Sequence, residues 1–218
     1  MSHQYTPQSV EHTGNDPPDP LETWGKTFTG IKPQNIYRFV FQNANNLSAN
    51  QTYNMETTYT KLAGLQDLSP DCVMIAEAGV NWGNSKQLTA SKRAFYSILG
   101  KGSLQHSHNT HENYSRTSSG GALHSLPGGV CHWISHRLSS RSMHHHRDHL
   151  GRFSTSLLHG PRNQGLAIIT AYRPVDGGNV DISVATQHRR VLGPASDPRE
   201  TCLLDLREHI SELQRNDY

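Results

Sequence analysis

The amino-acid sequence predicts a mixed α+β fold in which short buried strands are layered with amphipathic helices. Three observations carry that prediction. Cys72-Val73-Met74-Ile75-Ala76 is a continuous apolar run of strand length. The segment before it, 54–67, places Met55, Tyr59, Leu62 and Leu65 at near-helical spacing, with Leu68 close by, so strand and helix alternate along the chain. The last segment, Thr201–Leu213, puts Leu203, Leu206, Ile210 and Leu213 on one face and Asp205, Glu208 and Glu212 mainly off it, which makes it the clearest helix in the sequence.

Taken in order, residues 1–35 are polar and punctuated by Pro17, Pro18, Pro20 and Pro33, the composition of a disordered leader. Order is expected from Ile36, where Ile36–Phe41 is dense in β-branched and aromatic side chains and reads as a strand. The helix over 54–67 is weakened by Thr57, Thr58, Thr60 and Gly64 and ended by Ser69-Pro70-Asp71. A second helix is expected over 83–99, with Leu88, Ala94, Phe95, Ile98 and Leu99 as its buried side. Residues 101–121 are polar and read as a flexible excursion from the sheet. Strand character resumes over Leu126–Ile134 and in Arg152–His159 and Leu166–Tyr172, the last two joined by the hairpin loop Gly160–Gly165. Residues 174–200 read as loop before the final helix.

Composition narrows the function classes. The 218 residues suffice for one substantial domain, and hydrophobic residues at 33% confine its core to the clusters named above. A net charge of +2 says little about polyphosphate, which responds to a local positive surface. Basic residues do cluster from Arg137 to Arg152 and at His188-Arg189-Arg190, as a phosphate-facing surface or as ordinary solvated surface. Cys72, Cys131 and Cys202 are far apart and form no CxxC pair, so neither a disulfide framework nor a cysteine zinc site is expected. There is no secretory signal and no apolar stretch near the roughly 18 residues of a membrane span. The expectation is therefore a soluble intracellular protein, nucleus and cytoplasm not being distinguished.

Two strand ends carry polar groups suited to chemistry. Asn43 and Asn45 follow the first strand, and Glu77 ends Cys72–Ala76. Polar groups at the carboxyl ends of neighbouring strands converge on one rim of a sheet. A carboxylate there is either a turn or helix-cap group or a ligand for a hard ion, Mg²⁺ or Mn²⁺, which needs one carboxylate plus waters and a phosphate. Histidines compete for attention: ten of the 15 lie between His106 and His149. His145 and His149 have the i, i+4 spacing that would grip zinc on a helix, but the run lacks the Glu of HExxH, and an exposed polar loop is the plainer reading.

Four pieces in order give the sequence a family resemblance. They are Phe41-Gln42-Asn43-Ala44-Asn45-Asn46-Leu47; Ser69-Pro70-Asp71 leading through Cys72–Ala76 to Glu77; Gly128-Gly129 before a strand with Gly151-Arg152-Phe153 after it; and Leu166–Thr170 ending in Ala171-Tyr172-Arg173-Pro174. Together they resemble the endonuclease/exonuclease/phosphatase superfamily, and especially the nuclease domain of non-LTR retrotransposons. The resemblance covers about residues 36–215. It implies a four-layer α/β-sandwich, present here only in its N-terminal portion, and a Mg²⁺-dependent DNA endonuclease with Mn²⁺ as the alternative ion. By position, Glu77 would be the principal metal ligand and Asn45 part of the metal-side network. Asn43 would contact the scissile phosphate or support the ligand shell, and Tyr172 would hydrogen-bond the phosphate.

Departures qualify that expectation. Asn46 stands where a glycine is usual, and Ala76 where a Gln is frequent. The family's later G-D-x-N and S-D-H motifs do not occur, so the groups that orient the attacking water are missing. The expectation is a hydrolase by resemblance that is inactive as this chain, with DNA phosphodiester backbone as partner and a reverse-transcriptase region downstream in the full element. Missing strands would also leave an uncovered apolar face or an unpaired edge. The alternative is an inert remnant, or a nucleic-acid-binding fragment without hydrolysis.

Overall fold

The apolar run Cys72–Ala76 becomes an inner strand of the larger sheet, buried along its length apart from a half-buried Met74. The computed structural model describes residues 32–47, 56–111, 126–161, 164–175 and 183–216. The chain divides into two units, 1–31 and 32–218, and every described residue belongs to the second. Phe39–Asn43 (β1) pairs in parallel with Cys72–Ala76 (β2). Val130–Ser135 (β4) pairs antiparallel with β2 and with Gly102–Ser107 (β3), giving the order β1-β2-β4-β3.

Period-2 alternation gives this sheet two faces. Val73 and Ile75 of β2, with Cys131 and Trp133 of β4, pack against Glu56–Gln66 (α1) and Ser85–Leu99 (α2) through Leu62, Leu65, Ala94 and Phe95. Asn84 starts α2 by accepting from the amides of Lys86 and Gln87. The opposite face, with Cys72 and Ile134, meets Leu138 of the short helix His136–Ser139 (α3) and Leu158 and Ile168 of a second sheet. That sheet is antiparallel in the order Ser142–Arg147 (β5), Phe153–His159 (β6), Gly165–Ala171 (β7). Ser156 and Leu158 of β6 face the first sheet. Thr155 faces Pro198–Arg215 (α5), where its hydroxyl lies 2.8 Å from His209 Nε2. Val184–Leu192 (α4) is tied in by His188 Nε2, 3.1 Å from the Leu150 carbonyl. The result is a mixed α/β sandwich.

Three expectations are corrected. The excursion over 101–121 is a strand of the sheet in its first part: Gly102–Ser107 pairs residue for residue with β4. Its single aliphatic residue, Leu104, hid a strand whose polar side chains sit between covered faces; residues 112–121 lie outside the described residues. The histidine run is likewise no loop, since Ser142–Arg147 is the edge strand β5. Part of the 174–200 stretch is α4, whose buried side is Ala185, Gln187 and His188 rather than aliphatic. Of the expected leader, residues 1–31 lie outside the described residues, while Lys32 donates to Asp71 at 2.8 Å.

The second sheet leaves β1 uncovered. Phe39 and Phe41 lie on the inter-sheet face, opposite Cys72 and Met74, yet are 44% and 56% exposed. Apolar surface of this kind drives association. Replacing both rings by Ser is expected to lower binding of an apolar fluorescent dye and reduce aggregation while changing folding stability by less than about 1 kcal/mol. Denaturation midpoints check this; a loss of several kcal/mol would show both rings to be core.

Candidate functional site

Because β1 and β2 are parallel, their carboxyl ends share a rim, and the backbone pairing runs on past both strands. Asn46 donates to the Glu77 carbonyl and Leu47 to that of Ala78, each at 2.7 Å. On the other side Ala78 donates to Gly129 at 3.0 Å and Gly79 to Gly128 at 2.9 Å. Three non-glycine residues of this rim, Asn45, Asn46 and Glu77, have φ of 42°, 76° and 51°. Left-handed backbone in non-glycine residues carries a conformational cost and concentrates where a side chain must be aimed. Gly79, at φ 64°, has no alternative: a Cβ there would stand 2.3 Å from Asn46 Oδ1.

Tyr172 reaches the same rim from the second sheet. Its amide donates to the Arg152 carbonyl at 2.7 Å just beyond β7. Its hydroxyl donates to the Glu77 carboxylate. Burial, then the Glu77 charge and that hydrogen bond, push the phenol up to about 12, so it is a fixed donor at neutral pH. Between these groups lies a cavity of about 360 Å³ lined by Asn45, Asn46, Glu77, Gly128, Tyr172 and Ser183 among others.

Three of the four residues singled out in the sequence, Asn45, Glu77 and Tyr172, therefore line one cavity. Asn43 stands just outside it, exposed, its Oδ1 accepting from the Asn45 amide at 3.0 Å and so closing the turn. Sequence reading missed Asn46 as a lining residue, Ser183 and Val184 at the start of α4, and Lys61, which holds the Asn45–Asn46 turn from α1. The Gly128-Gly129 pair was the one signal for the opposite wall.

The donors suit a hard cation. One carboxylate and amide oxygens, with space for water, fit an ion that keeps part of its hydration shell, and among the described residues no sulfur or imidazole lines the cavity. Among the described residues no group of three or more His, Cys, Asp or Glu could hold a metal ion. The zinc geometry considered for His145 and His149 is ruled out by the fold: residue 145 is in a strand and residue 149 in the following turn, so helical spacing does not apply. His145 instead faces inward, its Nδ1 3.5 Å from Ser156 Oγ. Among the described residues no helix is long and apolar enough to cross a membrane.

No family model matches the sequence, and no curated protein matches it. Solved structures do resemble it. The AP endonuclease LMAP of Leishmania major aligns at 14% identity and a TM-score of 0.42, over 72% of this chain and 45% of that one. Endonuclease/exonuclease/phosphatase proteins of Leptotrichia buccalis C-1013-b and Beutenbergia cavernae DSM 12333 align at 9% and 12% identity, with TM-scores of 0.37 and 0.41. These cover 74% of this chain in both cases, and 64% and 44% of the other. The chain thus spans less than half the length of the Leishmania and Beutenbergia proteins. All three TM-scores lie below 0.5, and the likeness assigns this chain neither a family nor a role for any residue.

Proposed function

We propose that the cavity binds a phosphodiester of nucleic acid together with Mg²⁺ or Mn²⁺, and that this chain does so without efficient hydrolysis. The observation that carries the reading is that Glu77, Asn45 and Tyr172, from three separate stretches of chain, line one cavity. In this reading Glu77 and Asn45 hold the cation, which neutralises charge on the phosphate oxygens. Once the cation occupies the Glu77 carboxylate, the Tyr172 hydroxyl turns its one hydrogen bond from Glu77 to a phosphate oxygen, and Asn43 holds the Asn45 turn and contacts the phosphate from the rim. Hydrolysis needs a further group to take a proton from the attacking water. Among the described residues lining the cavity, Glu77 is the sole carboxylate and there is no imidazole.

The finer reading is that of a retroelement DNA endonuclease domain of four-layer sandwich type. It rests on the sequence pieces ending at Glu77 and at Tyr172-Arg173-Pro174, and would apply to a longer protein in which further polypeptide supplies the missing base.

Binding and nicking of a labelled DNA duplex, with and without Mg²⁺, test the proposal. The expected result is Mg²⁺-dependent binding, weakened roughly tenfold or more by Glu77→Gln, and no nicking. Glu77-dependent nicking would overturn the non-hydrolytic part. Binding indifferent both to Mg²⁺ and to Glu77→Gln would leave only a general nucleic-acid surface.

A further inference from the structure

The Asn45–Asn46 turn pairs with β2's end on one side and is gripped on the other by one face of α1. Lys61 Nζ donates to the Ala44 carbonyl and, at 2.8 Å, to the Asn46 carbonyl. Thr58, three residues earlier on the helix and fully buried, donates its hydroxyl to the Leu47 carbonyl. Positions i and i+3 share a helix face, so one stripe of α1 takes three carbonyls of a four-residue turn. We infer that Lys61, assisted by Thr58, is the positioning residue that keeps Asn45 and Asn46 left-handed and so sets where the cavity's oxygen donors point. The inference rests on the cation-and-phosphate reading above for its functional consequence, but not for its geometry.

The physical case is one of distance. In an extended strand, carbonyls of residues i and i+2 point the same way about 6.6–6.8 Å apart. Two oxygens within hydrogen-bond reach of one ammonium stand closer than that, at most about 5.6 Å. Lys61 therefore serves Ala44 and Asn46 together only when the chain has turned at Asn45, and it favours the turned state by the strength of a charge-assisted hydrogen bond. The stake is high at this place. Asn45 and Asn46 have φ of 42° and 76°, conformations that side-chain-bearing residues hold only when the surroundings impose them. The Asn46 amide is the donor to the Glu77 carbonyl, and Glu77 is itself left-handed at φ 51°. Loosening the turn thus releases Glu77 as well as Asn45. Lys61 touches neither cation nor phosphate in this arrangement; it acts through the turn.

The test compares the full chain with Lys61→Met and Lys61→Arg. Two readouts are taken: amide hydrogen exchange at Asn46 and Leu47, whose amides bond the Glu77 and Ala78 carbonyls, and Mn²⁺ affinity by electron paramagnetic resonance. Lys61→Met is expected to speed exchange at both amides selectively and weaken Mn²⁺ binding roughly tenfold, with substantial recovery in Lys61→Arg. Unchanged exchange at Asn46 and Leu47 overturns the inference, whatever Mn²⁺ does. So does faster exchange with unchanged Mn²⁺ affinity, because the turn would then not set the site. Faster exchange in a chain whose unmodified form binds no Mn²⁺ upholds the role of Lys61 in the turn and removes the cation reading instead.

Discussion

Lowering the pH from about 7.5 to about 5.5 is expected to remove roughly 4 kcal/mol of folding stability, a large part of the usual margin of a domain this size. The cause is three buried histidines. His106, His132 and His188 are 6%, 0% and 2% exposed. Burial first, then neighbouring cations, lowers them from 6.5 to about 3, 3 and 4. His106 faces Arg147, His108, His145 and Lys92. His132, between the sheets, faces His145 and has both ring nitrogens on hydroxyls, Ser156 Oγ at 2.7 Å and Thr170 Oγ1 at 3.2 Å. His188 faces Arg152 and His149, with Asp148 offsetting them in part.

Each folded-state value lies below the unfolded one, so between the two the unfolded chain binds more protons. The stability tied to these groups is complete above about pH 6.5 and is lost as the pH falls towards the folded values. One unit below 6.5, each group costs about 1.4 kcal/mol. Asp148 does not titrate in this window: although burial alone would raise it, the Arg152 hydrogen bonds and charge hold it below its ordinary value. Urea denaturation at the two pH values measures the loss. His132→Asn, which keeps a polar group beside Ser156 but cannot be protonated there, is expected to reduce the pH-dependent loss by about a third. A midpoint independent of pH across this window would show that these rings are hydrated.

The same histidines explain which parts of the fold could be read from sequence. β2 and β7 announce themselves as continuous apolar runs of strand length, and α5 as a helix through its Leu and Ile spacing. The face that α5 buries is a different one, however: Pro198, Cys202, His209 and Leu213 are buried, while Leu203 and Ile210 of the expected apolar face are exposed. β3 and β5 do not announce themselves. Gly102–Ser107 and Ser142–Arg147 are polar strands, and β5 is an edge strand whose residues are largely exposed. Between the sheets, hydroxyl–imidazole pairs such as Ser156–His132 stand where aliphatic contacts would have left a pattern. A polar core position is invisible until its partner, from a distant stretch of chain, is known. The candidate site was legible to the extent that it sits at strand ends: Asn45 and Glu77 follow from where apolar runs stop, while Tyr172 came only from the resemblance carried by Ala171-Tyr172-Arg173-Pro174. Lys61 was not, because a lysine on a weakly amphipathic helix looks the same whether it meets water or two backbone carbonyls. Nor was Arg152, which counted as one more charge in a basic stretch while its partner Asp148 was unknown.

That pair supports the other large effect. Arg152 is 1% exposed, and its Nε and Nη2 donate to the two carboxylate oxygens of Asp148 at 2.9 and 2.8 Å, a bidentate pairing inside the β5–β6 turn. Nη2 also reaches Asp205 of α5 at 2.7 Å, and the Arg152 amide donates to Asp148 as well. The turn closes through Gly151, at φ 79°, where a Cβ would stand 2.7 Å from the His108 Cα, so the backbone here has no freedom to relax. Arg152→Met removes the cationic partner of a buried pair and leaves the Asp148 carboxylate dehydrated with the residue-152 backbone amide still donating to it but no charge to balance it, at an expected cost of about 3–5 kcal/mol. Combining it with Asp148→Leu is expected to recover much of that loss, since two apolar side chains do not carry the dehydration penalty. Asp205→Asn should cost less than about 1 kcal/mol, because the Asp205 side chain is 40% exposed and water screens its contact. Denaturation of the two single variants and the double variant at neutral pH, where the histidines are uncharged, separates this effect from the acid transition. Additive losses in the double variant would show that the two charges are not coupled. The consequence reaches the cavity, because the Arg152 carbonyl is the acceptor for the Tyr172 amide. A turn loosened at Arg152 releases the strand end that aims the Tyr172 hydroxyl at Glu77, so Arg152→Met is expected to weaken the Mg²⁺-dependent DNA binding proposed for the cavity even at temperatures where the variant remains folded.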